Sequence, residues 1–347
     1  MDSYDVPGFA TFYDAMVEGL PEEYEAGKDV DFFWAQLQRV LEAQGTARVL
    51  DLCTGTGRVV EGLVRHLALR RSSPSDVASP PVLQEQQGWT VALTGVDNSE
   101  HMLQVAQDKL QLSTLPAGVS CSWLCSDIAN LPPQEDLGGP FDLIILSAGS
   151  FHHLLTKQEQ LSCLTAIKHL LADHQAAVIN LMPSSDLQAQ PGTVMLAGGY
   201  CRECIDQERE EQPDGGVVWR QQFMLSLDTP PIASQGSAQR GEHEEEQAPR
   251  ASSSASARQG GQEHGERGKE GQAMSQAAGD TQGTVEEAAG GAWEQEEGWA
   301  LREVEPDEFR RLLEACGLRV VEQRVAFGNA LSNKSEGPGR IFLIAKT

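Results

Sequence analysis

The sequence predicts an α/β protein: a doubly wound, seven-stranded, mostly parallel sheet with a small antiparallel addition. Three observations predict it. Between residues 47 and 182, apolar strand-like runs alternate with helical runs, and strands separated by helices pair in parallel through crossovers. The first three of these strands each end in an acid, at Asp51, Asp97 and Asp127. Two strand-like runs, 319–327 and 340–347, close the chain without a helix between them, which predicts an antiparallel pair.

The elements follow in order. "DFFWAQLQRVLEAQG" (31–45) has apolar residues at 32, 33, 37, 40 and 41, which is helical spacing, and Gly45 suits its stop. "ARVLDLC" (47–53) reads as a buried strand and "GRVVEGLVRHLALR" (57–70) as a helix. The Ser-, Pro- and Gln-rich stretch 71–88 reads as a surface loop. "WTVALTGVD" (89–97) is a second strand. Helix 99–111 follows, with Ser99 as its N-cap. Strands 118–127 and 141–149, helix 157–172 and strand 176–182 complete the alternation, with Asp142 structural at the start of the fourth strand. The pattern then changes. Residues 198–210 and 215–228 read as antiparallel strands about the turn "PDGG" (213–216), and Trp219 and Phe223 share a face. Residues 299–318 read as a short strand and a helix with Pro306 at its start and Gly317 at its end.

Composition divides the chain into an N-terminal helical segment (1–46), a core (47–228), an insertion (229–298) and a C-terminal part of the core (299–347). The insertion has Ile232, Met274, Val285 and Trp293 as its only large apolar residues, and thirteen acids against five bases. It cannot bury enough surface to offset ordering entropy and reads as disordered. The whole chain carries a formal net charge of −25, which argues against nucleic acid or an anionic membrane surface as its main partner. No apolar run reaches membrane-spanning length. Seven scattered cysteines without a framework of spacings, and an acidic amino terminus without an apolar core, predict a cytoplasmic or otherwise reducing setting. Cys201 and Cys204 lack a second ligand pair and fall on opposite strand faces, so no metal site is expected.

The chemistry concentrates in "VLDLCTGTGRVV" (49–60), a strand that turns through Gly55 and Gly57 into a helix. Glycines there let backbone N–H groups approach a ligand, and the helix N-terminus favours negative charge. An acid at the end of the second strand, Asp97, is placed to accept from ribose hydroxyls, and Asp127 with Ile128 to meet an adenine ring. These three acids in register predict a nucleoside site. A nicotinamide dinucleotide fits poorly, because Val60 stands where a third glycine is required.

Five motifs in this order, "VLDLCTGTGRV", "LTGVDNSEHML", "CSDIANLP", "FDLIILSAGSFHHL" and "LLEACGL…RIFLIAK", resemble the class I S-adenosylmethionine-dependent methyltransferases, in their small-molecule branch. The resemblance spans 1–228 and 299–347. It implies S-adenosylmethionine as cofactor. Asp51, Gly55 and Gly57 would shape the pocket for its methionine part, with Cys53 where the family usually has its first glycine. Asp97, with Asn98 and Met102 beside it, would hold the ribose. Asp127 and Ile128 would bracket the adenine, and Ser147 would lie under the methionine moiety. "FATFYDAM" (9–16) resembles a lid segment of that branch, with Tyr13 over the cofactor.

The resemblance implies a methyltransferase acting on a small-molecule acceptor by in-line transfer, its oligomeric state open. Three other readings stay open: a protein or quinone/lipid acceptor, an idle binder of the cofactor, and the disfavoured oxidoreductase. His152 and His153, in "SFHHLL" after the fourth strand, are candidate bases. Either of them can instead cap or pack the following helix.

Overall fold

The computed structural model describes residues 4, 9–18, 28–72, 88–112, 114–189, 192–196, 199–227, 293–325 and 340–347. The loop expected at 71–88 and the insertion expected at 229–298 fall mostly outside these residues.

Strand β1 (Thr46–Leu52) is the centre of the larger sheet. It pairs in parallel with β2 (Thr90–Asp97) on one side and β4 (Phe141–Leu146) on the other. Beyond β2 lies β3 (Val119–Cys125), and beyond β4 lies β5 (Leu171–Leu181). The closing strands β10 (Leu318–Arg324) and β11 (Arg340–Lys346) are antiparallel to each other, and β11 is antiparallel to β5. The order β10-β11-β5-β4-β1-β2-β3 is the predicted doubly wound sheet of seven strands.

Both faces of this sheet are covered, and the inner strands supply apolar side chains to both. On one face, Val49, Leu93, Leu143 and Val178 meet helices α2 (Lys28–Gln44) and α3 (Arg58–Ser72) through Phe33, Leu37, Val60 and Leu63. On the other, Leu50, Leu52, Ile144 and Ile179 meet α5 (Lys157–Leu170) and α6 (Pro306–Ala315) through Leu164, Ile167, Phe309 and Leu312. Burial on both faces is what near-continuous apolar strands encode. Helix α4 (Glu100–Gln111) starts at Ser99, whose side chain accepts from the Met102 N–H as predicted. Asp142 accepts from the Arg48 N–H at 2.8 Å and from Gln44 at 2.9 Å, so it ties the starts of β4 and β1 together.

The addition is a four-stranded antiparallel sheet, β6 (Gly192–Met195), β7 (Tyr200–Glu211), β8 (Val217–Leu227) and β9 (Trp293–Arg302). Two points correct the sequence reading. β6 is an unforeseen edge strand. The strand expected to begin at 299 begins at Trp293, and it pairs with β8 rather than joining the larger sheet. Its alternation is masked by Glu294, Glu296 and Glu297, which give the segment a loop-like composition. Helix α1 (Phe9–Glu18) packs its Phe9 and Phe12 against Phe223 and Leu225 of this sheet and Met102 of α4. Burying two Phe rings stabilises that contact by about 3–6 kcal/mol.

Candidate active site

The β1–α3 turn is held from two sides. The Thr54 N–H donates to the Val96 carbonyl at 2.9 Å, and the Gly55 N–H donates to Asp97 Oδ2 at 2.8 Å. The other Asp97 oxygen accepts the Ser99 N–H at 3.0 Å. Asp97 therefore fixes the glycine turn to the start of α4. The Asn98 N–H is a third backbone partner, and the four acceptor sites of the carboxylate leave one for a ligand hydroxyl. Three turn residues take left-handed backbone: Cys53 (φ 54°), Gly55 (φ 55°) and Gly57 (φ 81°). At Gly57 a Cβ would come within 2.9 Å of the Ala106 Cβ, so this glycine also lets α3 approach α4. Cys53 carries the conformation at a cost of about 1 kcal/mol relative to glycine, which explains why a first glycine would suit that position.

Asp51 is buried at the end of β1 and accepts the Thr54 hydroxyl at 2.6 Å. Burial raises its pKa to about 7, against the opposing pull of Thr54 and Arg58. Asp97 is also raised by burial, with its backbone N–H partners pulling down. Arg58 is the cation near Asp51 and is committed to Asp29, with Nη1 to Oδ1 at 2.8 Å and Nη2 to Oδ2. The two strand-end carboxylates thus share an environment short of positive charge, which suits a cationic ligand.

Further along the strand ends, Asp127 Oδ1 accepts from the Ala129 N–H at 2.8 Å, and Oδ2 from the Asn130 amide at 3.0 Å. It caps the turn that buries Ile128. Met102 is buried under α4, and Asn98 is exposed beside Asp97. After β4, Ser147 is buried, and Ala148 (φ 54°) and Gly149 (φ 72°) turn the chain sharply. A Cβ on Gly149 would strike the Met182 sulfur.

Helix α1 brings Tyr13 over the turn: its ring lies 3.5 Å from where a Gly55 Cβ would be. Burial pushes the Tyr13 hydroxyl up to about 12, so it donates a hydrogen bond rather than ionises. Asp14 anchors the helix, accepting the Thr56 hydroxyl at 2.5 Å and pairing with Lys109 at 2.6 Å. Tyr4, unforeseen from the sequence, joins it. Its carbonyl accepts the Ser99 hydroxyl at 2.6 Å, and its own hydroxyl lies 3.3 Å from His153 Nε2. Its ring stacks parallel to Trp299 at 6.4 Å.

The two histidines separate. His152 is fully buried, with Nδ1 2.7 Å from the Arg302 carbonyl and Nε2 accepting the Met182 N–H at 3.0 Å. Both ring nitrogens are used, which fixes a neutral ring with Nδ1 as donor. Burial also lowers its pKa to about 4. The expectation that His152 acts as a base is therefore corrected: it clamps β9 to the end of β5. His153 keeps an exposed edge and meets Tyr4, while burial of its ring, with His152 beside it, lowers its pKa to about 4, so the ring is neutral and has Nε2 turned to the Tyr4 hydroxyl. Cys201 faces Met195 and Cys204 faces the Asp206 carbonyl. Among the described residues no group of three or more His, Cys, Asp or Glu side chains could hold a metal, and no helix is long and apolar enough to cross a membrane.

Residues 81–174 match the family model described as a methyltransferase domain. The fold is similar to an S-adenosylmethionine-dependent methyltransferase from Clostridium acetobutylicum, with a TM-score of 0.58, 14% identity and 97% of each chain covered. It is also similar to the CcbJ methyltransferase from Streptomyces caelestis, with a TM-score of 0.53 and 14% identity over 100% of this chain and 98% of that one. At such identity the likeness is one of fold. No curated protein matches the chain by sequence. The family match is to a methyltransferase domain over residues 81–174, and the fold is similar to that of an S-adenosylmethionine-dependent methyltransferase.

Proposed function

We propose that the protein methylates a small-molecule acceptor, and that the strand-end acids and the glycine turn hold the donor. One observation carries the choice of acceptor size. The carboxyl ends of β1 and β4 are covered by α1 and by Tyr4, with Tyr13 over Gly55 and Tyr4 against His153. An approach roofed by aromatic side chains admits a compact molecule more readily than a folded polypeptide.

Bound S-adenosylmethionine supplies an electrophilic methyl carbon on a sulfonium. Asp97 orients the ribose through its free acceptor site, with Asn98 and Met102 alongside. Asp127 and Ile128 bracket the base. Asp51, Cys53, Gly55, Gly57 and Ser147 shape the space for the amino-acid end. Tyr13 excludes water over the turn and donates to the bound donor, and exclusion together with alignment supplies much of the acceleration. His153 is the imidazole positioned to take a proton from the acceptor.

The test is tritiated-methyl transfer from S-adenosylmethionine into a cell extract, separated by size. Label in the small-molecule fraction is expected. Label in protein or lipid would overturn the acceptor class, and binding without transfer would mark an idle binder.

A further inference from the structure

Arg202, on β7, is half-buried against aromatic rings instead of being paired with an acid. Its guanidinium lies 5.1 Å from the Phe223 ring centre and 5.5 Å from that of Trp299. Among the described residues it makes no ion pair. Its hydrogen bond is a 3.6 Å contact from Nη1 to the Met16 thioether, a weak acceptor. A guanidinium drawn partly out of water without a carboxylate is costly, and two aromatic faces replace the lost hydration only in part. Burial lowers its pKa, the direction of a charge that lost water without gaining a partner. A second unmet donor sits in the same cluster: the buried Trp299 Nε1–H has no acceptor among the described residues. Trp299 stacks on Tyr4, and Tyr4 meets His153. The unmet donors therefore lie two aromatic rings from the proposed transfer site, on the face of the small sheet that α1 covers.

These aromatic rings would otherwise make a cage for a cationic acceptor, but Arg202 already fills it. We propose that Arg202 is a specificity residue that pairs with an oxyanion of the methyl acceptor, so that the acceptor is a small molecule bearing a carboxylate or phosphate. The planar fork of arginine binds either group through two parallel hydrogen bonds. Trp299 lies beside it as a further donor. This inference rests on the small-molecule reading above and narrows it.

Two measurements on the full chain test it. The first needs no acceptor. Arg202→Met keeps an apolar stem over Phe223 and removes the unpaired charge. Its melting temperature is expected to stay level or rise by a few degrees, with S-adenosylhomocysteine affinity by calorimetry unchanged within about twofold. A fall of more than about 5 °C would make Arg202 a structural clamp and overturn the proposal. The second separates the tritium-labelled small-molecule products by anion exchange. The wild-type label is expected in the retained fraction, and phosphatase treatment distinguishes a phosphate from a carboxylate. Arg202→Met should lose about ten- to a hundredfold of that label, with Arg202→Lys intermediate. Label in the unretained fraction, or equal labelling by Arg202→Met, would overturn the oxyanion while leaving a small-molecule acceptor intact. Label only in macromolecules would overturn both.

Discussion

Asp51 shows at the scale of one residue how burial is turned into a titration. Its pKa of about 7 lies above the ordinary carboxylate value of 3.8 because burial penalises the charged form. The native state therefore holds a proton that the unfolded chain releases between about pH 4 and pH 7. Stability from this group is full below about pH 4 and is lost as the pH rises to about 7. Thr54 and Arg58 oppose the shift, while Asp29 and Asp97 reinforce it. A cationic methyl donor placed beside Asp51 favours the ionised form. S-adenosylmethionine affinity is thus expected to rise between pH 6 and pH 8, with a proton released on binding, and Asp51→Asn should flatten both. Calorimetry in two buffers of different ionisation enthalpy measures this, and proton uptake on binding would contradict the placement of Asp51. The three strand-end acids and both turn glycines were legible in the sequence, since strand alternation and turn chemistry are local. The division of labour between His152 and His153 was not. It depends on the Arg302 carbonyl and the Met182 N–H, which come from distant segments.

Among the elements, α1 is the one whose role the parallel sheet does not dictate. It takes no place in either sheet, yet Phe9 and Phe12 are fully buried and Tyr13 covers Gly55. The aromatic spacing of "FATFYDAM" foretold an apolar contact. It did not foretell that Tyr4 and Trp299 complete the roof, because Trp299 is separated from α1 by most of the chain. As the proposed lid, α1, docked by rings and anchored by Asp14 to Thr56 and Lys109, should open and close as a unit. Tyr13→Ala is expected to lower turnover more than it lowers donor affinity. Proteolysis near the amino terminus should slow when S-adenosylmethionine is present. Cleavage indifferent to saturating donor would return Tyr13 to a packing role.

Across the whole molecule, two sheets built on different rules divide the work. The parallel sheet places its acids at the carboxyl ends beside the β1–β4 switch point, where open α/β sheets bind ligands. The antiparallel sheet supplies an aromatic face. Its β8 and β9 are separated in sequence by the low-complexity stretch, yet Leu227 and Trp293 are direct partners in register. A few residues therefore suffice to join them. Replacing 230–291 with a linker of about four Gly and Ser residues is expected to leave the melting temperature within a few degrees and donor affinity unchanged, because closing a long loop costs more entropy than closing a short one. A collapse of either would show that the stretch contributes to the folded unit.

The central claim is that the end of β2 holds the ribose of the methyl donor through Asp97. The unmodified protein tests it without disturbing the Gly55 and Ser99 contacts that Asp97 also makes. Calorimetric titration compares S-adenosylhomocysteine with its 2′-deoxy analogue. Loss of a hydroxyl donating to a buried carboxylate should weaken binding by about ten- to a hundredfold, equivalent to about 1.5–3 kcal/mol. Equal affinity for the two ligands would contradict the account.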